Sequence, residues 1–344
     1  MRKILVTGGA GFIGSNFVRH MLDRYKDCEI HVLDCLTYAG SIKNLPLAEN
    51  SGKGGRLHFH YGNIRNGAIV SALVSRVETV VHFAAETHVT RSIFDNSLFF
   101  ETDVMGTQVL ASAVLAHRDR IERFIHISSS EVYGSAVQPK MAEDHPLLAR
   151  SPYAAAKVGA DRLVYSYWCT YNLPVVIVRP FNNYGPYQHL EKAIPRFVTG
   201  CLLGEPLRVH GSGEASRDWM YVEDACRALE SLLHCPIEKV AGKAINLGTG
   251  TSTSIVRLAE MIADAMDVPR AHIELTADRP GQVERHTANN EQAKRLLGWE
   301  PRISLAQGLE RAITWYKENR KWWEDQLWMR TIPIELEPGK TVYH

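Results

Sequence analysis

Three groups of residues in this chain have types and spacings that could do chemistry. In "YAAAK", Tyr153 and Lys157 stand four apart, which on a helix stacks them on one face. A phenol beside an ammonium is a candidate general base, because the positive charge lowers the phenol's pKa from about 10. The second group is "HISSSEVYG", residues 126–134, which reads as the end of a buried strand that turns abruptly polar and sets Ser129, Ser130 and Glu131 side by side. Two hydroxyls and a carboxylate there can polarise an oxygen and move a proton. The third is "TGGAGFIGS", where Gly8, Gly11 and Gly14 separate a strand from a helix. Glycines allow a tight turn and close backbone approach, so the helix N-terminus can take a pyrophosphate. Asp34, 20 residues after Gly14, ends the next strand, where a carboxylate accepts bonds from a ribose diol. An acid at that point repels a 2′-phosphate, which favours NAD over NADP. Alone, the Tyr–Lys spacing describes a solvated pair and the glycines an ordinary turn. Following one another in a single chain, they read as one cofactor-dependent site.

Such groups need a scaffold, and the hydrophobic pattern supplies it. "KILVTGG", "EIHVLD", "LHFHYGN", "TVVHFAAE", "RFIHISS" and "PVVIVRPFN" are six candidate strands, with helical stretches such as "GFIGSNFVRHMLDRY" between them. Short β-branched runs alternating with helices predict an α/β fold, a Rossmann-type doubly wound parallel sheet covered on both faces. After about residue 182 the rhythm loosens, with Pro186, Pro195 and Pro206 punctuating shorter elements. The expected organisation is an NAD-binding Rossmann domain over 1–181, a smaller C-terminal substrate-binding lobe over 182–330 from which a strand near 244–248 returns to the sheet, and a tail over 331–344.

Composition narrows the function. Lys plus Arg number 39 against 38 for Asp plus Glu, so no footprint of a nucleic-acid or membrane binder is visible and any polyanion must be gripped locally. No apolar run in the sequence reads as the roughly 20 residues of a membrane span. The six cysteines contain no C-x-x-C pair and the chain enters a strand directly, which suits a reducing cytoplasm. The 15 histidines are scattered, and His58 and His60 in "HFHYG" are spaced as strand histidines beside an edge, so no metal is expected.

Longer stretches carry a resemblance. "DCLTYAGSIKNL", "HFAAETHVTRSI", "ETDVMGT", "HISSSEVYG", "SPYAAAK", "FNNYGPYQHLEKAIPRF", "RDWMYVEDACRAL", "ADRPGQ" and "LGWEP" make the chain similar to the extended short-chain dehydrogenases/reductases, and among them most like the dTDP-glucose 4,6-dehydratases. The likeness runs from residue 3 to about 325. It implies NAD as cofactor, held by Gly8, Gly11, Phe12, Ile13, Gly14, Asp34, Leu36, Thr37, Asn63, Ile64, Ala84, Ala85, Thr102, Tyr153 and Lys157. It implies a nucleotide-diphosphate sugar as substrate, held by Thr87, Ser129, Asn182, Asn183, Lys192, Arg208, His210, Arg217, Asn246 and Arg279. Lys192 and Arg217 are the natural diphosphate clamps, the plain alternative for Arg217 being an ion pair with Asp218.

The implied reaction is oxidation of the sugar at C4, elimination of water across C5 and C6, and return of hydride to C6. Tyr153 would take the C4 hydroxyl proton with Ser129 polarising the oxygen, and Glu131 would take the proton from C5. The family's triplet here is usually Thr-Asp-Glu, and the aspartic acid that protonates the departing hydroxyl is Ser130 in this chain. GDP-mannose 4,6-dehydratases and UDP-glucuronate decarboxylases carry Thr-Ser-Glu, so the decarboxylase remains an alternative, as does a 4-epimerase using the same transient 4-ketone, although epimerases usually lack a carboxylate at 131; an inactive cofactor-binding regulator is a third. Thr90 and Gln282 depart from the family's Asp and His in segments that approach the sugar, and Asn63 from its Asp near the adenine, which suggests a sugar other than plain glucose, for example an N-acetylglucosamine derivative. The apolar helices around 98–116 and 153–171 carry more hydrophobic surface than one sheet face uses, predicting a homodimer.

Overall fold

The computed structural model describes residues 3–47, 55–277, 281–331, 333–337 and 340–343, the last two ranges as backbone strands. All six expected strands form: β1 (Lys3–Thr7), β2 (Glu29–Asp34), β3 (Leu57–Tyr61), β4 (Thr79–His82), β5 (Arg123–Ile127) and β6 (Val175–Pro180). A seventh, Ala244–Leu247, returns to pair with β6. The order across the sheet is seventh-β6-β5-β4-β1-β2-β3, and every pairing is parallel. The chain therefore winds outward in one direction from β1 and in the other from β4. At that reversal a crevice opens beyond the carboxyl ends of the strands.

The strands read as continuous apolar runs because both faces are covered. Ile4, Val6, Val32, Ile125, Val176 and Ile245 pack under the helices Phe12–Arg24 and Val222–His234. Their strand neighbours Leu5, Leu33, Val80, Phe124 and Ile177 face the helices Gly67–Val74 and Thr107–Ala116 on the other side. This alternation is the period of two of a strand.

A separate cluster gathers in the second half, where Ile194, Phe197, Leu258, Ile262, Ile313, Tyr316 and Trp323 are buried together. The sequence suggested that a strand comes back to the sheet from this half. The helix Val222–His234 also does, burying Ala225, Leu229 and Leu232 against the sheet. Its Glu230 accepts from Tyr25 Oη at 2.5 Å and Arg24 Nε at 2.8 Å, and meets His20 Nε2 at 2.7 Å.

The helical stretch Asn96–Ala116 corrects the expectation that no apolar segment approaches membrane-span length: it has 21 residues and a mean hydropathy of 1.2. Leu110, Ala111 and Val114 bury one side of it in the core, and Thr102 faces the crevice. That accounts for the apolar residues on its buried side, half of the stretch. In the tail, Pro333–Glu337 pairs antiparallel with Lys340–Tyr343 as a hairpin.

Candidate active site

The glycine segment meets the geometric demands of a dinucleotide cradle. Gly8 has φ +70°, and a Cβ there would collide with the Ala84 backbone, while a Cβ on Gly14 would collide with Gly8 O. No described side chain caps the helix Phe12–Arg24, so its first N–H groups point at the crevice with the positive end of the helix dipole behind them. Asp34 is fixed at the end of β2 by two backbone donors, Leu36 N to Oδ1 at 2.8 Å and Ala10 N to Oδ2 at 2.9 Å. Burial pushes its carboxyl upward and these two bonds oppose the shift. Gly11, Phe12, Ile13, Thr37, Ile64, Ala84, Ala85 and Thr102 line the same crevice. These features fit NAD: a backbone cradle for phosphates, and a carboxylate for a ribose at the next strand end.

The second group sits where β5 runs out. Ser129 has extended backbone and caps a short 3₁₀ turn, Ser130–Tyr133, its Oγ accepting from Glu131 N at 3.1 Å. The turn aims Ser129, Ser130 and Glu131 into the crevice. Facing it, the helix Pro152–Tyr171 starts at an N-cap Ser151 with Pro152 behind it, which places Tyr153 in the first turn and Lys157 one turn on. The hydroxyls of Ser129 and Thr87 stand by the phenol and favour its ionised form. Lys157 Nζ donates to Ile127 O at 2.8 Å.

The electrostatics differ from the sequence expectation. Burial pushes the Tyr153 phenol well above its ordinary value, and the Asp103 and Glu131 carboxylates add to it, while the Ser129 and Thr87 hydroxyls work the other way. Lys157 is itself buried, and desolvation depresses its ammonium against the pull of Asp103 and Asp161. Asp103, missed by the sequence reading, lies in a π-helical turn, Phe100–Gly106, inside the long helix. Its Oδ1 accepts from Glu86 N at 2.7 Å, Oδ2 has no partner among the described residues, and burial raises its pKa to about 7.

The outer half of the crevice is cationic. Lys192, Arg208, His210 and Arg217 line it as expected, joined by Arg196 and Arg330, which the sequence reading did not include. Burial and the nearby Arg330 and Arg208 lower the Arg196 guanidinium to about 10, and such a gathering of like charges suits an anionic ligand. The Asp218 carboxylate is taken by Thr249, Gly250 and Ala288 donors at 2.6–3.1 Å, which removes the plain explanation of Arg217. Asn182, Asn183, Thr87, Thr90 and Gln282 also line the crevice.

Not every expected residue arrives. Asn246 is fully buried and both ends of its amide are used, Oδ1 accepting from Tyr133 Oη at 2.7 Å and Nδ2 donating to Met141 O at 2.9 Å, so it braces the fold rather than a ligand. Asn63 spends its Oδ1 on Arg65 N at 2.9 Å, closing its own turn instead of lining the crevice. Leu36 turns its side chain against the apolar core while its N–H holds Asp34. Arg279 lies outside the described residues. At the opposite edge of the sheet, Glu29, His31 and His58 bring ligand-type atoms within 4.8 Å of one another, and Lys3 Nζ pairs with Glu29 Oε2 at 3.2 Å.

Fold and site together define an extended short-chain dehydrogenase/reductase of the nucleotide-sugar 4,6-dehydratase type. The chain belongs to the GDP-mannose 4,6 dehydratase family, whose model matches residues 5–312. It is 41% identical over 327 residues to a dTDP-glucose 4,6-dehydratase of Streptomyces niveus, covering 94% of this chain and 95% of that one. It is 44% identical over 318 residues to the low-salt glycan biosynthesis protein Agl12 of Haloferax volcanii, covering 91% and 98%. In structure it is similar to DesIV, the dTDP-glucose 4,6-dehydratase of Streptomyces venezuelae crystallised with NAD and TYD bound, with a TM-score of 0.88, 41% identity and coverage of 94% and 99%.

Proposed function

We propose that this protein is an NAD-dependent nucleotide-sugar 4,6-dehydratase that makes a 4-keto-6-deoxy nucleotide sugar. The observation that carries this is the meeting of Tyr153, Ser129 and Glu131 at one end of a dinucleotide cradle whose outer half is lined by cations. Gly8–Gly14 would hold NAD, which when bound would supply the acceptor for the C4 hydride and its later return to C6. Tyr153 takes the C4 hydroxyl proton. Its raised pKa stabilises the protonated product of that step, while the Ser129 and Thr87 hydroxyls stabilise the phenolate that begins it. Ser129 then bonds the new C4 carbonyl, which acidifies the neighbouring C–H, and Glu131 removes the C5 proton as water leaves from C6. Lys157 would hold the nicotinamide ribose, and Lys192, Arg196, Arg208, Arg217 and Arg330 the diphosphate end. Thr90 and Gln282 line the crevice where the sugar would lie, and their departure from the family's Asp and His supports a hexose other than plain glucose, an amino sugar among them.

Incubation with a panel of nucleotide sugars, read by product mass, tests the assignment. Loss of water with solvent deuterium at C5 in heavy water is the expected result; loss of carbon dioxide or unchanged mass would replace it with a decarboxylase or an epimerase. Glu131→Gln is expected to slow water loss by about 10²- to 10⁴-fold while C4 oxidation continues.

The protein is further read as a cytoplasmic homodimer, with the cofactor half over 1–181 and the substrate half over 182–330. Leu98, Phe100 and Met105 on the long helix and Tyr171 at the end of its neighbour remain exposed, which supports pairing through these helices. Cys35, Cys169, Cys201, Cys226 and Cys235 are free thiols, which suits a reducing compartment. A monomer mass by light scattering at micromolar concentration would overturn the dimer.

A further inference from the structure

Elimination of the C6 hydroxyl needs a proton, and serine at 130 is too weak an acid to release one unaided. We propose that His286 supplies the missing function as a relay: it receives the C5 proton from Glu131 and passes it to Ser130, whose hydroxyl hands its own to the departing C6 oxygen. This rests on the dehydratase reading and explains how that reaction proceeds without an acid at 130.

The geometry fixes the tautomer. His286 is fully buried, and its Nε2 lies 2.7 Å from Gly134 O. A carbonyl only accepts, so Nε2 carries the proton and the neutral ring presents a bare Nδ1. That nitrogen faces both partners, Ser130 Oγ at 3.3 Å and Glu131 Oε1 at 3.8 Å. The carbonyl is held in turn by Gly134, whose φ of +69° and collision with Leu148 O admit no side chain. The Phe181 ring packs edge-on at 6.2 Å and keeps the imidazole in place. Burial disfavours the imidazolium, the Glu131 carboxylate favours it and Arg217 opposes it, so the charged ring is reached only in passing.

The proton count closes. The C5–H bond breaks to Glu131 and its electrons form the C5–C6 double bond as the C6–O pair leaves with oxygen. Glu131 gives the proton to Nδ1, which requires the carboxyl to move roughly 1 Å into hydrogen-bond reach. Nδ1–H protonates Ser130 Oγ while the Ser130 proton moves to the leaving oxygen, which departs as water. The ring ends neutral, with the proton on Nε2 never displaced, and no further reactant is consumed.

His286→Gln tests the relay, because an amide can donate to Gly134 O and accept from Ser130 but cannot take up and release a proton at neutral pH. With a nucleotide sugar that the wild type dehydrates, single-turnover experiments should show bound NADH appearing at near the wild-type rate. Water loss should fall about 10²-fold or more, so that a 4-keto hexose accumulates. Adding Ser130→Asp should recover much of the water loss, since a carboxylic acid donates directly. A purely structural role would slow both steps together and would not be rescued. Equal slowing of both steps, or undiminished water loss, overturns the relay. Should His286→Gln melt below the assay temperature, Ser130→Ala must show the same split, and wild-type dehydration by that variant overturns the proposal equally. If the wild type releases water from no nucleotide sugar, the dehydratase reading itself has failed, and the relay falls with it.

Discussion

Arg179 holds Asp161 through two bonds, Nε to Oδ2 at 2.9 Å and Nη2 to Oδ1 at 3.0 Å, and the pair is buried beneath the helix that carries Tyr153 and Lys157. The same guanidinium donates to Tyr133 Oη at 2.9 Å, and Tyr133 donates to Asn246. Asp161 belongs to the helix with the general base, Tyr133 to the turn with Glu131, and Arg179 to β6. One cation thus sets the spacing between the groups that act at C4 and at C5.

Removing it should be costly. Arg179→Leu leaves Asp161 buried with Arg162 as its remaining partner, a loss of about 3 kcal/mol by the usual cost of breaking a buried pair. Although burial opposes it, Arg179 keeps the Asp161 carboxyl below its ordinary range. A depressed carboxylate contributes stability above its unfolded value of about 3.9, and that contribution is lost as pH falls through the folded value. Urea unfolding should therefore show a wild-type advantage at pH 7 that shrinks below pH 4; a constant difference would mean that Asp161 is not the group being stabilised.

Tyr153→Phe keeps the ring that packs edge-on against Phe99 at 6.1 Å, so folding should survive. Every reaction considered for this site begins at C4, so the variant should produce no bound NADH with substrate, seen as no rise at 340 nm. A rise within tenfold of wild type would move the general base elsewhere.

Much of this was legible in the sequence, for a physical reason: local patterns encode local geometry. The alternating runs gave six strands correctly, and Gly8, Asp34, Glu131, Tyr153 and Lys157 all reach one crevice because each lies at a strand end or in a helix's first turns. His286, Arg196 and Arg330 were not legible, since each comes to the site from a segment remote in the chain. Asn246 was misassigned because its neighbours in sequence resemble a binding segment, while its side chain points to Tyr133. The net direction of the Tyr153 shift was not legible because i, i+4 spacing says nothing of burial, and desolvation is the largest influence on the phenol.

Asp103 gives the sharpest test of that last point. Its carboxyl is fully buried and titrates at about 7, raised chiefly by burial, with Lys157 opposing and Glu86 adding. Because the folded value lies above the unfolded value of about 3.9, its contribution to stability is complete below that value and is lost as pH rises through 7. Asp103→Asn keeps the shape and the acceptor for Glu86 N, and removes the titration. The melting temperature of the variant should therefore gain on that of the wild type between pH 5 and pH 8. The substitution also removes a negative charge that raises the Tyr153 pKa, so the acidic limb of the kcat/KM profile should move to lower pH. Lys157 loses a supporting carboxylate at the same time, which should weaken NAD binding at high pH, where the ammonium begins to deprotonate. Parallel melting curves would show that Asp103 does not titrate between pH 5 and pH 8, and an unmoved acidic limb would show that its charge does not govern Tyr153, which would leave Glu131 as the carboxylate that does.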